Sequence, residues 1–226
     1  MTQPSKLSET VSQVATKACT TLEGGALPVN LPALDAAKPP RASTPIDWRV
    51  MLERHNAQRD RIPAPLRETM GNMVKGELPW PLVIIGEAGA GKTLGALLFL
   101  EWWGRGGTYT TLPRFCHRLA EALMQRLYTS SGYQMQVDDV WEEWSRVPFA
   151  IMDEVGTRDR VSDHHFEALL EALNSREGRP TIFVSNSGRT QLSRVYDDRV
   201  ASRLTGGTVV YVKGDQRRGK TIKEAE

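Results

Sequence analysis

The chain has 226 residues, enough for one well-buried domain with a small appendage and too few for two full enzyme domains. With 40% hydrophobic and 25% charged residues its composition is ordinary for a soluble globular protein, and a formal net charge of +2 is too weak to diagnose nucleic-acid binding. Two cysteines, Cys19 and Cys116, exclude a disulfide framework and the repeated Cys/His spacing of a zinc site, and they fit a reducing compartment.

The opening MTQPSKLSET lacks the basic start and apolar stretch of a signal peptide, and runs such as LGALLFL fall far short of a membrane span. A cytoplasmic protein with no membrane association is expected. Residues 1–46 read as a flexible N-terminal extension and a candidate partner-binding segment: a short helix over 7–22, then GGALPVNLPALDAAKPPRASTP, where Pro and Gly interrupt every periodic stretch. Residues 47–226 read as the folded domain. DWRVMLERHNAQRD places Trp48, Met51 and Leu52 at helical spacing behind Asp47 as N-cap, and a helix that packs on the core accounts for it as well as a partner-binding role does.

From there strands and helices alternate. The run over 81–85 is a short apolar strand and 93–103 a helix. A second strand over 108–112 precedes a helix over 114–127 with Leu119, Leu123 and Leu127 on one face. A third strand over 147–152 leads to a helix over 165–174, a fourth over 181–184 to a helix over 189–204, and a fifth over 209–212 closes the series. The expected fold is α/β, a central parallel sheet flanked by helices on both faces.

The chemistry begins at GEAGAGKT, residues 86–93, between the first strand and its helix. In such a P-loop the backbone N–H groups of Gly86, Glu87, Ala88, Gly89, Ala90 and Gly91 and the helix N-terminus point at phosphate oxygens, and the glycines allow close approach. Lys92 then sets a point charge on the β/γ-phosphates and the Thr93 hydroxyl ligates Mg²⁺. A P-loop also needs an acidic partner at a neighbouring strand end, and FAIM followed by Asp153-Glu154 supplies it. Asp153 holds the metal and Glu154 polarises the attacking water. Asn186, ending the TIFVSN run, offers an amide to hold that water, although alone it is more often a turn former. Arg199 and Arg203 lie four apart on one helical face; from spacing alone they, like Arg158, Arg160 and Arg176, read as solvated or salt-bridged.

The set GEAGAGKT, TYTTLPRFCHRLAEAL, FAIMDEVG, LLEALNSREGRPTIFVSN, DDRVASRL and VYVKGDQRR resembles the AAA+ ATPases of the DnaC and IstB type, from about residue 62 to 218. The resemblance implies a P-loop NTPase of AAA+ type that binds ATP with Mg²⁺ and releases ADP. It makes Asp153 and Glu154 the Walker B pair, Asn186 sensor 1, Arg203 an arginine finger acting in trans within a homo-oligomer, and Arg218 sensor 2. Its function would be to load a replicative helicase onto single-stranded DNA; the alternative is a transposition helper that recruits a recombinase to duplex DNA. Lys213, Arg217, Arg218, Lys220 and Lys223 form a short basic C-terminus able to touch phosphate in either case. A small-molecule kinase shares the glycine-rich loop but needs an arginine lid and a substrate pocket, to which nothing in the sequence points. Residues 1–46 match no helicase- or transposase-binding domain of the family.

Overall fold

A computed structural model describes residues 46–54, 62–156 and 161–213. The 7–22 helix, the linker, Arg158, Arg160, Arg217, Arg218, Lys220 and Lys223 lie outside the described residues.

Helix α1 (Trp48–Arg54) starts where Asp47 accepts the Arg49 N–H at 3.0 Å, the expected cap. Helix α2 (Ala64–Val74) follows, with Leu66, Met70 and Met73 buried at helical spacing. Strand β1 (Leu82–Gly86) runs through the phosphate loop into α3 (Lys92–Trp103). Next come β2 (Thr108–Thr111), α4 (Leu112–Leu123), α5 (Val137–Arg146), β3 (Ala150–Val155) and α6 (Asp163–Asn174). The described chain ends with β4 (Thr181–Ser185), α7 (Arg189–Val195), α8 (Asp198–Thr205) and β5 (Thr208–Val212).

All strand pairs are parallel, in the order β2-β3-β4-β1-β5. Alternate side chains of each strand enter two separate cores, which is why the strands read as unbroken apolar runs. Leu82, Ile84, Ile151, Ile182 and Val184 pack with α1, α2 and α3 on one face. Val83, Ile85, Met152 and Phe183 pack with the remaining helices on the other. Gly86 is needed where β1 meets β5, since a Cβ there would sit 2.1 Å from the Val212 carbonyl oxygen.

Several sequence expectations are corrected. The 114–127 helix begins at Leu112, where Pro113 suits the first turn and Thr111 caps the Arg114 N–H, and it stops at Leu123. Gln125 takes a left-handed φ of 57°, so Leu127 is buried from a loop and Leu123, at 63% exposure, leaves the apolar face altogether. The expected 189–204 helix is two helices. Asp197 adopts φ 141° and accepts the Val200 N–H at 2.9 Å, an N-cap that starts α8 afresh. That N–H, more than its Arg199 partner, holds the Asp197 carboxyl below its ordinary range. The third strand spans Ala150–Val155, so the acidic pair lies within it rather than after it.

Arg176 departs furthest from the solvated or salt-bridged role. It is 2% exposed; its Nε donates to Thr181 Oγ1 at 2.9 Å, and its terminal nitrogens reach the carbonyls of Trp144, Val147 and Pro180 at 2.8, 2.9 and 2.9 Å. Burial, and secondarily Arg179, lowers its pKa to about 10, which leaves it charged at neutral pH. It is a structural cation joining the end of α5 to the start of β4.

Candidate active site

The loop between β1 and α3 is shaped by two left-handed glycines, Gly89 and Gly91, each with φ 84°, and Gly91 is the N-cap of α3. Lys92, the first helical residue, is 7% exposed, and its Nζ donates to the carbonyls of Gly86 and Glu87 at 2.8 and 2.7 Å. The ammonium is thus folded onto its own loop, where a charged phosphate oxygen makes a stronger acceptor than either carbonyl.

Asp153 closes the site from β3. Ile151 and Asp153 alternate onto the sheet face that α3 covers, and this brings Thr93 Oγ1 to 2.6 Å from Asp153 Oδ2 across 60 residues of sequence. Asp153 Oδ1 accepts the backbone N–H of Glu154 at 2.7 Å. Strict alternation would send Glu154 to the opposite face, but the β3–β4 register shifts between Met152 and Val155 and Glu154 takes φ 60°. A left-handed non-glycine residue in a strand bulge costs on the order of 1–3 kcal/mol and persists where surrounding structure holds it, commonly beside active sites. Glu154 is exposed, as reaction with a bound molecule requires.

Holding that bulge is a set of buried groups behind it. Ser185 Oγ lies 2.7 Å from the Val155 carbonyl and accepts the Ser187 N–H at 2.9 Å, Ser187 Oγ donates to the Gly156 carbonyl at 2.7 Å, and the Gly156 N–H donates to the Tyr196 hydroxyl at 3.2 Å. Ser185 and Ser187 are buried while Asn186 between them is exposed, so the serines anchor the strand end and present the amide. Because β4 lies between β1 and β3, Asn186 comes off the strand separating the phosphate loop from the acidic pair. Arg203 is exposed on α8 and donates to Asn174 Oδ1, at the end of α6, while Arg199 pairs with Asp197 at 3.1 Å. Arg218 lies outside the described residues.

The oxygen donors Thr93 and Asp153 suit a hard cation such as Mg²⁺, which keeps waters and takes substrate phosphates rather than an all-protein cage. No group of three or more His, Cys, Asp or Glu able to hold a metal occurs among the described residues. Sequence reasoning missed Tyr109, whose hydroxyl donates to Asp153 Oδ2 at 3.1 Å. Burial first, and then the charge of Asp153, raises its pKa well above the ordinary value.

No family model and no curated protein matches the sequence. Solved structures do. AMPPCP-bound DnaA from Aquifex aeolicus aligns with TM-score 0.53 at 20% identity over 65% of this chain and 44% of that one. The replication initiator DnaA bound to AMPPCP and single-stranded DNA aligns with TM-score 0.53 at 21% identity over 66% of this chain and 44% of that one. Domain III of the Thermotoga maritima replication initiation protein DnaA aligns with TM-score 0.50 at 17% identity over 67% and 63%. The chain shares their fold, the AAA+ type of P-loop α/β fold.

The fold expected from the sequence resemblance is therefore present, and the chain spans less than half the length of the two larger DnaA structures, 44% of each. The carboxyl ends of the strands carry Gly86, Asp153 and Glu154, with Asn186 one residue past β4. Such a cluster at the carboxyl ends of parallel strands is where open α/β sheets place their ligands. No helix among the described residues is long and apolar enough to cross a membrane.

Proposed function

We propose that this AAA+ domain binds and hydrolyses Mg²⁺-ATP and serves as a DNA-replication factor of the DnaC kind, loading a replicative helicase onto single-stranded DNA. The observation that carries the ATPase reading is the 2.6 Å contact between Thr93 and Asp153, which joins the phosphate loop to the acidic strand end through the two side chains a bound magnesium needs. When bound, the cation neutralises charge developing on the phosphates. The chain's own groups do the rest. Loop N–H groups and Lys92 bind and orient the phosphates, Glu154 takes the proton of the attacking water, Asn186 holds that water, and Arg203 stabilises charge on a neighbouring subunit's nucleotide. In this reading ATP sets the oligomer and its DNA affinity, and hydrolysis to ADP releases the helicase. The replication role is supported by the likeness to replication initiators, one of them bound to single-stranded DNA.

Glu154→Gln tests the chemistry, because it keeps the shape of the side chain and removes the base. Fluorescent-nucleotide titration should give near wild-type affinity, while steady-state phosphate release falls by about 10²-fold or more. Wild-type turnover in this variant would take the base role from Glu154. Anisotropy with labelled DNA tests the role: ATP-dependent binding of single strands is expected. Preference for duplex would favour the transposition-helper reading instead.

A further inference from the structure

Asp153 is gripped by three donors, and the proposed chemistry uses only two of their sources. The third is Tyr109, 4% exposed among the apolar side chains between the sheet and α3. A buried phenol usually finds a partner, and a backbone carbonyl would satisfy it. Here the partner is the same carboxylate oxygen, Oδ2, that accepts from Thr93. Strand register explains the reach. Tyr109 pairs with Ile151 and Thr111 with Asp153, so Tyr109 and Asp153 are diagonal neighbours on one sheet face, a span that the long tyrosine side chain bridges.

We propose that Tyr109 is a positioning residue for the magnesium-nucleotide complex: its hydroxyl, from the adjacent strand, fixes the Asp153 carboxylate in the orientation that receives the hydrated cation. This rests on the Mg²⁺-ATP reading of the site. Thr93 would meet the cation through an Oγ1 lone pair while its hydroxyl goes on donating to Oδ2, so its own geometry answers to the ligand. Tyr109 is anchored in the core and holds the carboxylate independently of what the loop contains. Groups that orient a metal-binding carboxylate in this way commonly set metal affinity, whereas a tyrosine that merely fills the core does not.

The test is a nucleotide-binding titration on the full chain with a fluorescent ATP analogue, in EDTA and across a Mg²⁺ series, comparing wild type, Tyr109→Phe and Asp153→Asn. Phe keeps the ring and its packing and removes one hydroxyl. Metal-free affinity should stay close to wild type, while the Mg²⁺ concentration for half-maximal tightening rises about 10-fold. An unchanged Mg²⁺ midpoint in Tyr109→Phe, with a clear shift in Asp153→Asn, would reduce Tyr109 to a core residue and leave the site reading standing. A parallel loss of affinity with and without metal would likewise overturn the proposal, since that is the signature of general loosening. If Asp153→Asn also binds with wild-type Mg²⁺ dependence, the metal-site reading itself falls and takes the Tyr109 role with it.

Discussion

Arg203→Ala should bind ATP nearly normally and hydrolyse it at least about 10²-fold more slowly, because an arginine finger acts on charge that develops in the transition state more than on the ground state. The side chain is exposed on α8, whose start is fixed by the Asp197 cap, and its partner within the subunit is Asn174. A neighbour's phosphate, which carries formal charge, would compete well against that neutral amide. Acting in trans predicts a mixing result that a cis role does not. Glu154→Gln protein is itself inactive but keeps its arginine, so adding it to Arg203→Ala protein should restore some phosphate release, as a Glu154-intact site then faces an Arg203-intact neighbour. Turnover of the wild type should also rise faster than linearly with protein concentration where the oligomer forms. A mixture that stays inactive while both variants demonstrably co-assemble would make Arg203 a structural arginine.

The second large effect is on stability. Arg176→Ala should lower the unfolding free energy by about 3–5 kcal/mol, measured by urea denaturation at neutral pH. The substitution leaves the carbonyls of Trp144, Val147 and Pro180 and the Thr181 hydroxyl without their donor in a region sealed from water, and it opens a cavity beside the Trp144 ring, over which the guanidinium lies at 5.6 Å. Arg176→Lys should recover only part of the loss, since a single ammonium cannot replace a planar fork that serves both α5 and β4. A change within about 0.5 kcal/mol, the usual range for a surface substitution, would show that the contacts are not holding the sheet. Because Arg176 braces the start of β4 and Asn186 follows the strand's far end, residual protein folded at low temperature should retain nucleotide binding, which separates this effect from a catalytic one.

The parallel sheet and the phosphate loop were legible because their signals are local: unbroken apolar runs, the 86–93 motif, and an acidic pair at a strand end. Helices α2 and α5 were legible too and were not read. Leu66, Met70 and Met73, and Val137, Val140, Trp141 and Trp144, repeat at three- and four-residue spacing, and Gln136 with Asp139 forms a capping box. The break between α7 and α8 was hidden because a capping aspartate and a solvated helical aspartate look alike in YDDRVAS until the Val200 N–H is seen to need an acceptor. Tyr109 and Arg176 had no local signal. The partners of Tyr109 and Arg176 lie 44 and up to 32 residues away in sequence, and only the β2–β3 register and the α5–β4 junction bring them into reach. The bulge at Glu154 is of the same kind, a consequence of pairing rather than of composition.

The central claim is that the loop at 86–93 is a working phosphate site, and calorimetric titration of ATP into wild type and Lys92→Ala in the presence of Mg²⁺ tests it most directly. Lys92 is the side-chain cation of that loop, and its Nζ donates to the Gly86 and Glu87 carbonyls. The account predicts saturable wild-type binding and abolished or severely weakened binding in Lys92→Ala, with both proteins melting as folded domains. Equal affinity for ATP in the two proteins, or no binding by the wild type, would contradict it.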